Sequence, residues 1–177
     1  MGPNSTDLRI RPAAREDIAA LVICATTSTR EEEDVGFGRP WSGRTFTDTK
    51  RLSAAWKETN RAGDEEIYVA ELEGRVVGYV TMQDRGKELE LVHINVASDY
   101  QGQGIGKGLV RSVEERARHD GRTAVTLGTS RNAAGVPWKS FPWWQALGYR
   151  VTGEEENAWT RSIGKGVREI RMRKDLL

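Results

Sequence analysis

The chain is expected to fold as a mixed α/β domain on a mostly antiparallel sheet with one parallel pair, and three features of its 177 residues predict this. Two β-rich runs, 67–72 and 76–82, are separated only by Glu73-Gly74-Arg75, which reads as a hairpin. A strand at 89–96, a helix at 105–119 and a strand at 124–127 follow one another as a β-α-β unit, the connection that makes neighbouring strands parallel. The runs 149–152 and 167–173 then read as a closing pair of strands.

In chain order, residues 8–12 open as a short strand. Pro12 leads into a helix over 15–29 whose stripe is Ile18, Leu21, Val22 and Ala25. Glu31 to Asp34 is a charge run that reads as a solvated helix end or loop. Three glycines and Pro40 then mark irregular backbone carrying Phe37 and Trp41, large apolar groups that are not left in water without reason. Residues 47–62 read as a helix with Leu52, Ala55 and Trp56 on one side. In 89–96 the apolar residues Leu89, Leu91, Val92, Ile94 and Val96 are too continuous for a half-exposed edge, so the strand is expected to be covered on both faces. From Ile105 the apolar positions Leu109, Val113 and Ala117 recur every four residues, and Gly121 caps that helix. The C-terminal third is rich in large rings: Trp138, Phe141, Trp143, Trp144, Tyr149 and Trp159.

A length of 177 residues with 37% hydrophobic content suits one domain over residues 1–177. The 27 basic and 26 acidic residues are interspersed and give a net charge of +1, so neither nucleic acid nor an anionic membrane is an expected partner. Cys24 is the lone cysteine, which rules out an intrachain disulfide. No cluster of His, Cys and carboxylates has ligand spacing, so no metal is expected. No apolar run reaches membrane-span length and no signal-peptide core opens the chain, and a cytoplasmic protein is expected. The myristoylation-like start Met1-Gly2 is discounted because Pro3 follows and no polybasic partner is present.

Chemistry is concentrated between the strand and the helix of the β-α-β unit. Gly102, Gly104, Gly106 and Gly108 stand at every second position, at a helix start where unpaired N–H groups and the positive end of the dipole make an anion site. The dinucleotide pattern G-x-G-x-x-G fails, because Lys107 and Leu109 occupy the positions of its third glycine. Walker A fails as well, at Gln101 and Gly108.

What fits is Gln101-x-x-Gly104-x-Gly106, with Val96 five residues ahead of it and a second block, Trp143-Trp144-x-x-x-Gly148-Tyr149, further on. In these features the chain resembles the GNAT superfamily of acyl-CoA-dependent N-acyltransferases. The likeness extends loosely from residues 8–12 to 172–176 but carries no signal over 30–65. It implies a sheet whose parallel pair splays at residues 94–97, helices on both faces, and transfer of an acetyl group from acetyl-CoA to a primary amine by direct attack in a ternary complex. It also implies CoA contacts from Ile94, Asn95 and Val96, from the loop Gln101, Gly102, Gln103, Gly104, Ile105, Gly106 and Lys107, and from Trp144 in the channel wall. Backbone N–H around Ile94 would meet the oxyanion. The acceptor would be a small-molecule or peptide amine, and a homodimer is an open expectation.

For the base, Glu90 lies eleven residues ahead of Gln101, matching the spacing of a catalytic glutamate in the histone-acetylating branch, and simple alternation sets it on the side of Val92, Ile94 and Val96. A carboxylate on an apolar face is poorly hydrated and therefore a better base. His93, on the opposite face by the same alternation, is the rival, with a hydrogen-bonded structural histidine as its plainer reading. Phe37 and Trp41, together with Trp138 and Phe141, face the acceptor or pack the core. One departure stands out: where many relatives carry a tyrosine that protonates the leaving thiolate, this chain has Trp144, whose indole N–H cannot serve as a proton-transfer acid. A non-catalytic acyl-CoA-binding or sensor domain is the alternative.

Overall fold

The computed structural model describes residues 7–28 and 43–176. Phe37 and Trp41 lie outside the described residues. The elements in order are β1 (Leu8–Pro12), α1 (Ile18–Thr27) entered through a 3-10 turn at Arg15–Asp17, α2 (Gly43–Phe46), α3 (Thr49–Ala55), β2 (Trp56–Lys57), β3 (Arg61–Ala62), β4 (Glu65–Leu72), β5 (Arg75–Asp84) and β6 (Glu88–Val96). They continue with α4 (Ile105–His119), β7 (Ala124–Arg131), α5 (Phe141–Ala146), β8 (Arg150–Glu155), α6 (Ala158–Ile163) and β9 (Arg168–Asp175). The strands form one sheet in the order β2-β3-β4-β5-β6-β7-β9-β8, with β1 also on β4. Every pairing is antiparallel except β6 with β7, so the expected architecture holds.

Each sheet face buries its own apolar set. On one face, α4 lays Ile105, Leu109, Val113 and Ala117 against Val80, Met82, Leu89, Leu91, Val125, Leu127, Ile170 and Met172. On the other, α1, α2 and α3 cover Ile67, Val69 and Tyr79 with Leu21, Cys24, Phe46 and Leu52. Leu109 and Val113 are fully buried, and truncating Leu109 to alanine removes roughly 2–5 kcal/mol in such a setting.

The expected helix over 47–62 is shorter than its pattern suggested. Asp48 caps α3 by accepting from the N–H groups of Lys50 and Arg51, but the helix ends at Ala55, and 56–62 turn back as the small β2–β3 hairpin. Thr59 sits there at φ 71°, Trp56 Nε1 donates to its carbonyl at 3.1 Å, and Asn60 Nδ2 donates to the carbonyl of Ile67 at 2.8 Å. These local bonds offer the backbone an alternative to helix. Helix α6 had no counterpart in the periodicity. Its signal is a capping box, in which Asn157 accepts from Thr160 N–H and the Thr160 hydroxyl from Asn157 N–H.

Two features of β6 set up the site. Its pairing with β7 runs only from Glu88↔Ala124 to Leu91↔Leu127, so the strands part at Val92, two residues earlier than expected. Its pairing with β5 slips between Thr81↔His93 and Met82↔Leu91, which leaves Val92 as the extra residue of a β-bulge. A bulge reverses the phase of alternation. His93 and Asn95 therefore share a face with Glu90, while Ile94 and Val96 share one with Leu89 and Leu91, correcting the simple-alternation assignment of Glu90 to the side of Ile94 and Val96.

Candidate active site

Where β6 and β7 diverge, a cleft of about 900 Å³ runs from the glycine loop to the charged face of the sheet. Gln101, Gly102, Gly104, Ile105, Gly106 and Lys107 line one end; Glu90, His93, Glu169 and Arg171 line the other, with Val92–Val96 and residues 127–129 between them.

The loop end is made of backbone. Gly104 is the N-cap of α4 at φ 82° and offers no side-chain cap, so the first-turn amides have no intrahelical or capping partner, the arrangement that suits a phosphate. A Cβ on Gly104 would project into open space, whereas one on Gly106 would meet Trp143 at 3.4 Å. Lys107 adds a cation at the same turn. The Gln101 side chain is a strut: its Nε2 donates to the carbonyls of Val96 at 2.9 Å and Ser28 at 2.7 Å, tying the end of α1 to the loop. Gln103 is exposed, one residue ahead of the Gly104 N-cap. The residues fit the pyrophosphate of CoA, with amides, a helix dipole and one lysine in the required place.

Along the cleft wall, alternation of the β6 amides supplies donors. Ala97 N–H bonds to Val77 on the β5 side, as does His93 N–H to Thr81 Oγ1, so the N–H groups of Ile94 and Val96 point into the gap left by β7. Asn95 turns the other way, its side chain hydrogen-bonded with Ser28 and with the Tyr79 hydroxyl, so Asn95 contributes to the wall through backbone. Trp144 is buried in the wall, edge-on to Trp143 and Tyr149 at 4.7 and 5.4 Å between ring centres. Tyr149 is unavailable as an acid: burial pushes its hydroxyl far above the usual phenol range, and it donates to Glu114 at 3.1 Å. Ser140, Trp138 and Trp159 also line the cleft. Phe141 does not; it packs on the α4-side core, the second of its two expected readings.

At the far end the sheet face is ionic. Glu90 is buried with both carboxylate oxygens taken: Oε2 accepts from Arg85 Nε at 3.1 Å and Nη2 at 2.8 Å, and Oε1 accepts from Arg171. Arg171 also donates to Glu169 at 3.0 Å; burial works against its charge, but the bonds to Glu90 and Glu169 outweigh that and hold it cationic. His93 has a different setting. Its ring lies 5.3 Å from Phe46 and its Nε2 3.5 Å from Glu65 Oε1, and burial lowers its basicity more than Glu65 restores it, so the imidazole is neutral at neutral pH. Glu65, Thr81, Arg171 and Glu169 were not among the residues singled out from sequence. Glu65 carried a signal: it stands in phase with Ile67 and Val69, a charge on the buried face of its strand. Among the described residues no three His, Cys, Asp or Glu side chains converge as a metal site.

Similar proteins fall in one group. The human N-acetyltransferase 8B is 37% identical over 104 residues, 55% of this chain and 44% of the relative. The zebrafish (Danio rerio) N-acetylaspartate synthetase is 38% identical over 93 residues, 51% of this chain and 32% of the relative. The chain thus spans less than half the length of these relatives. The crystal structure of PaiA N-acetyltransferase from Thermoplasma acidophilum in complex with coenzyme A superposes with a TM-score of 0.69 at 17% identity, covering 95% of this chain and 98% of that one, which establishes a shared fold. A sequence model of the acetyltransferase (GNAT) family matches residues 27–136, more than half of the chain and the stretch holding β6, the loop and α4, and on that match the chain belongs to the GNAT family.

Proposed function

We propose that the protein transfers the acetyl group of acetyl-CoA to a primary amine by direct attack in a ternary complex, with His93 as the base. The observation that carries this is the single cleft joining the amides of the Gly104 loop to the His93 imidazole through the gap between β6 and β7. A pyrophosphate on the loop would run the pantetheine along Val96 and Ile94, where N–H groups without sheet partners can hold the arm and the oxyanion. The acceptor nitrogen attacks the thioester carbon, the C–N bond forms, His93 takes the nitrogen's proton, and the C–S bond breaks. The proton count closes when the thiolate takes up a proton from water or from the cleft. Thiols lose a proton near pH 8.5, so a thiolate is a tolerable leaving group without a dedicated acid, consistent with Trp144 standing where relatives of this kind carry tyrosine.

His93 is preferred to Glu90 because of what each oxygen or nitrogen is already doing. Both Glu90 oxygens accept from guanidinium groups, which makes Glu90 an anchor for Arg171, whereas the imidazole is neutral and lies in the cleft wall. The acceptor end holds Glu90, Glu169 and Arg171 beside Trp159, a surface suited to a polar amine of small-molecule or peptide origin.

The sensor reading keeps the same donor site without turnover, and what favours it is Trp144 at the position where relatives of this kind carry tyrosine, while the Tyr100 hydroxyl of the cleft wall accepts from Arg75 at 3.3 Å. A thermal-shift comparison of CoA, acetyl-CoA and nucleotides lacking pantetheine, followed by thiol release over a panel of primary amines, separates the two. Stabilisation by acetyl-CoA beyond the nucleotide, with thiol release on at least one amine that disappears in His93→Gln, is the expected result. Equal stabilisation by nucleotides lacking pantetheine would remove the donor assignment.

A further inference from the structure

Around His93 the β5–β6 bulge closes a small ring of polar contacts that the acetyl-transfer reading does not itself require. The Thr81 side chain is fully buried and uses both of its capacities: its Oγ1 accepts from the His93 backbone N–H at 3.1 Å and donates to Glu65 Oε1 at 2.6 Å. That same Glu65 oxygen lies 3.5 Å from His93 Nε2. Three neighbouring strands thus meet at one residue, with Glu65 from β4, Thr81 from β5 and His93 from β6, and Phe46 of α2 stands over the imidazole at 5.3 Å. Among the described residues Glu65 is the charged group at ion-pair distance from the ring. The register makes the contact obligatory: Ile67 pairs with Thr81 and Thr81 with His93, so alternation brings Glu65 to the face on which the bulge presents the imidazole.

A neutral imidazole has one N–H and one lone pair, and the nitrogen facing a carboxylate is the one that keeps the hydrogen. We propose that Glu65, steadied by the Thr81 hydroxyl, is the positioning residue of the site: it holds His93 as the Nε2–H tautomer and leaves Nδ1 as the nitrogen that accepts the proton of the acceptor amine. The inference rests on His93 being the base and adds how that base is set. During transfer the proton moves from the amine nitrogen to Nδ1, the ring becomes a cation, and Glu65 faces that cation across Nε2. Glu65 itself gains and loses nothing.

The chain has two histidines, so ring resonances assign readily, and His119, with 85% of its side chain exposed, is an internal reference. The test is a histidine 15N and 13C titration of the full chain, which needs no acceptor. In the wild type His93 should titrate below its ordinary 6.5, with nitrogen shifts of the Nε2–H tautomer at high pH. Glu65→Gln should move that titration further down and mix the tautomers, while His119 stays in place. Thr81→Val should act in the same direction and Thr81→Ser should restore the wild-type titration. Glu65→Asp is the second variant should Glu65→Gln not fold, and the shorter carboxylate should give an intermediate shift. An Nδ1–H tautomer in the wild type, or a His93 titration indifferent to Glu65→Gln, overturns the positioning role. Thiol release then separates the two layers: an undiminished His93→Gln overturns the base assignment and this role with it, whereas an inactive His93→Gln beside an unmoved titration overturns this role alone.

Discussion

The two ends of the cleft are built from different material. At the donor end the groups on offer are amides of a helix start, and what the sequence must supply there is the absence of side chains. At the acceptor end the groups are side chains from β4, β5, β6, β9 and the β5–β6 turn, held by one another: Arg85, Glu90, Arg171 and Glu169 in a chain of ion pairs, Glu65, Thr81 and His93 in a cluster of polar contacts. A backbone site is insensitive to which residues surround it but intolerant at a few glycines. A side-chain site depends on register, and here a one-residue bulge decides which groups meet.

The largest effect should come from breaking the backbone end. In Gly104→Val a branched side chain is forced to φ 82° at the N-cap and projects into the open space before the first-turn amides. The left-handed conformation costs of order 1–3 kcal/mol, which a folded domain survives, but the anion site does not. Calorimetry should find a folded protein with no measurable CoA binding; unchanged affinity would mean that the loop is not where the donor sits.

Trp144 belongs to the wall common to both ends. Trp144→Ala should cost about 3–5 kcal/mol of stability, because the ring is buried against Trp143 and Tyr149 and leaves a void. Trp144→Phe should keep the turnover number, because an indole that protonates nothing has no step to lose. If denaturant melts reveal an intact Trp144→Ala, the ring is not a wall; if Trp144→Tyr raises turnover strongly, the reaction lacks an acid.

The contrast also explains what could be read from the chain beforehand. The β-α-β unit, the α4 boundaries at Ile105 and His119 and the loop were legible because each is local, written in periodicity and glycine spacing over a few residues. The bulge at Val92 was not, since neither Leu91 nor Val92 is marked for it; it is a matter of how β5 and β6 register. Missing it set Glu90 and His93 on opposite faces and Glu90 beside Ile94. Phe141, one ring among several in a short stretch, could not be told from its neighbours, because pointing at α4 or at the cleft is a question of helix phase in α5.

Glu90→Gln sharpens the acceptor end. If Glu90 anchors Arg171, the variant loses charge-assisted bonds to two guanidinium groups, while Arg171 keeps Glu169. A loss of about 1.5–3 kcal/mol in stability is expected, with the pH profile of acetyl transfer retaining its wild-type shape. A profile that loses its acid limb while stability holds would return the base to Glu90.

The smallest effect is a pH dependence of stability, and it probes His93 with no reaction at all. Burial favours the neutral ring, and Glu65 opposes this without cancelling it, so the folded protein protonates His93 at a lower pH than the unfolded chain does. The unfolded chain therefore binds the extra proton first as pH falls, and stability declines once the pH drops below the ordinary 6.5 and continues to decline through the lowered folded value. Above 6.5 the contribution is constant. Denaturant melts of the wild type and of His93→Gln between pH 7.5 and about pH 5 should diverge in that sense, the wild type losing stability that the variant keeps. Glu65→Gln with His93 intact should widen the divergence, because the one group favouring the imidazolium has gone. A wild type that gains stability relative to His93→Gln on acidification would mean that Glu65 dominates burial, that the ring is a cation near neutrality, and that it cannot be the base.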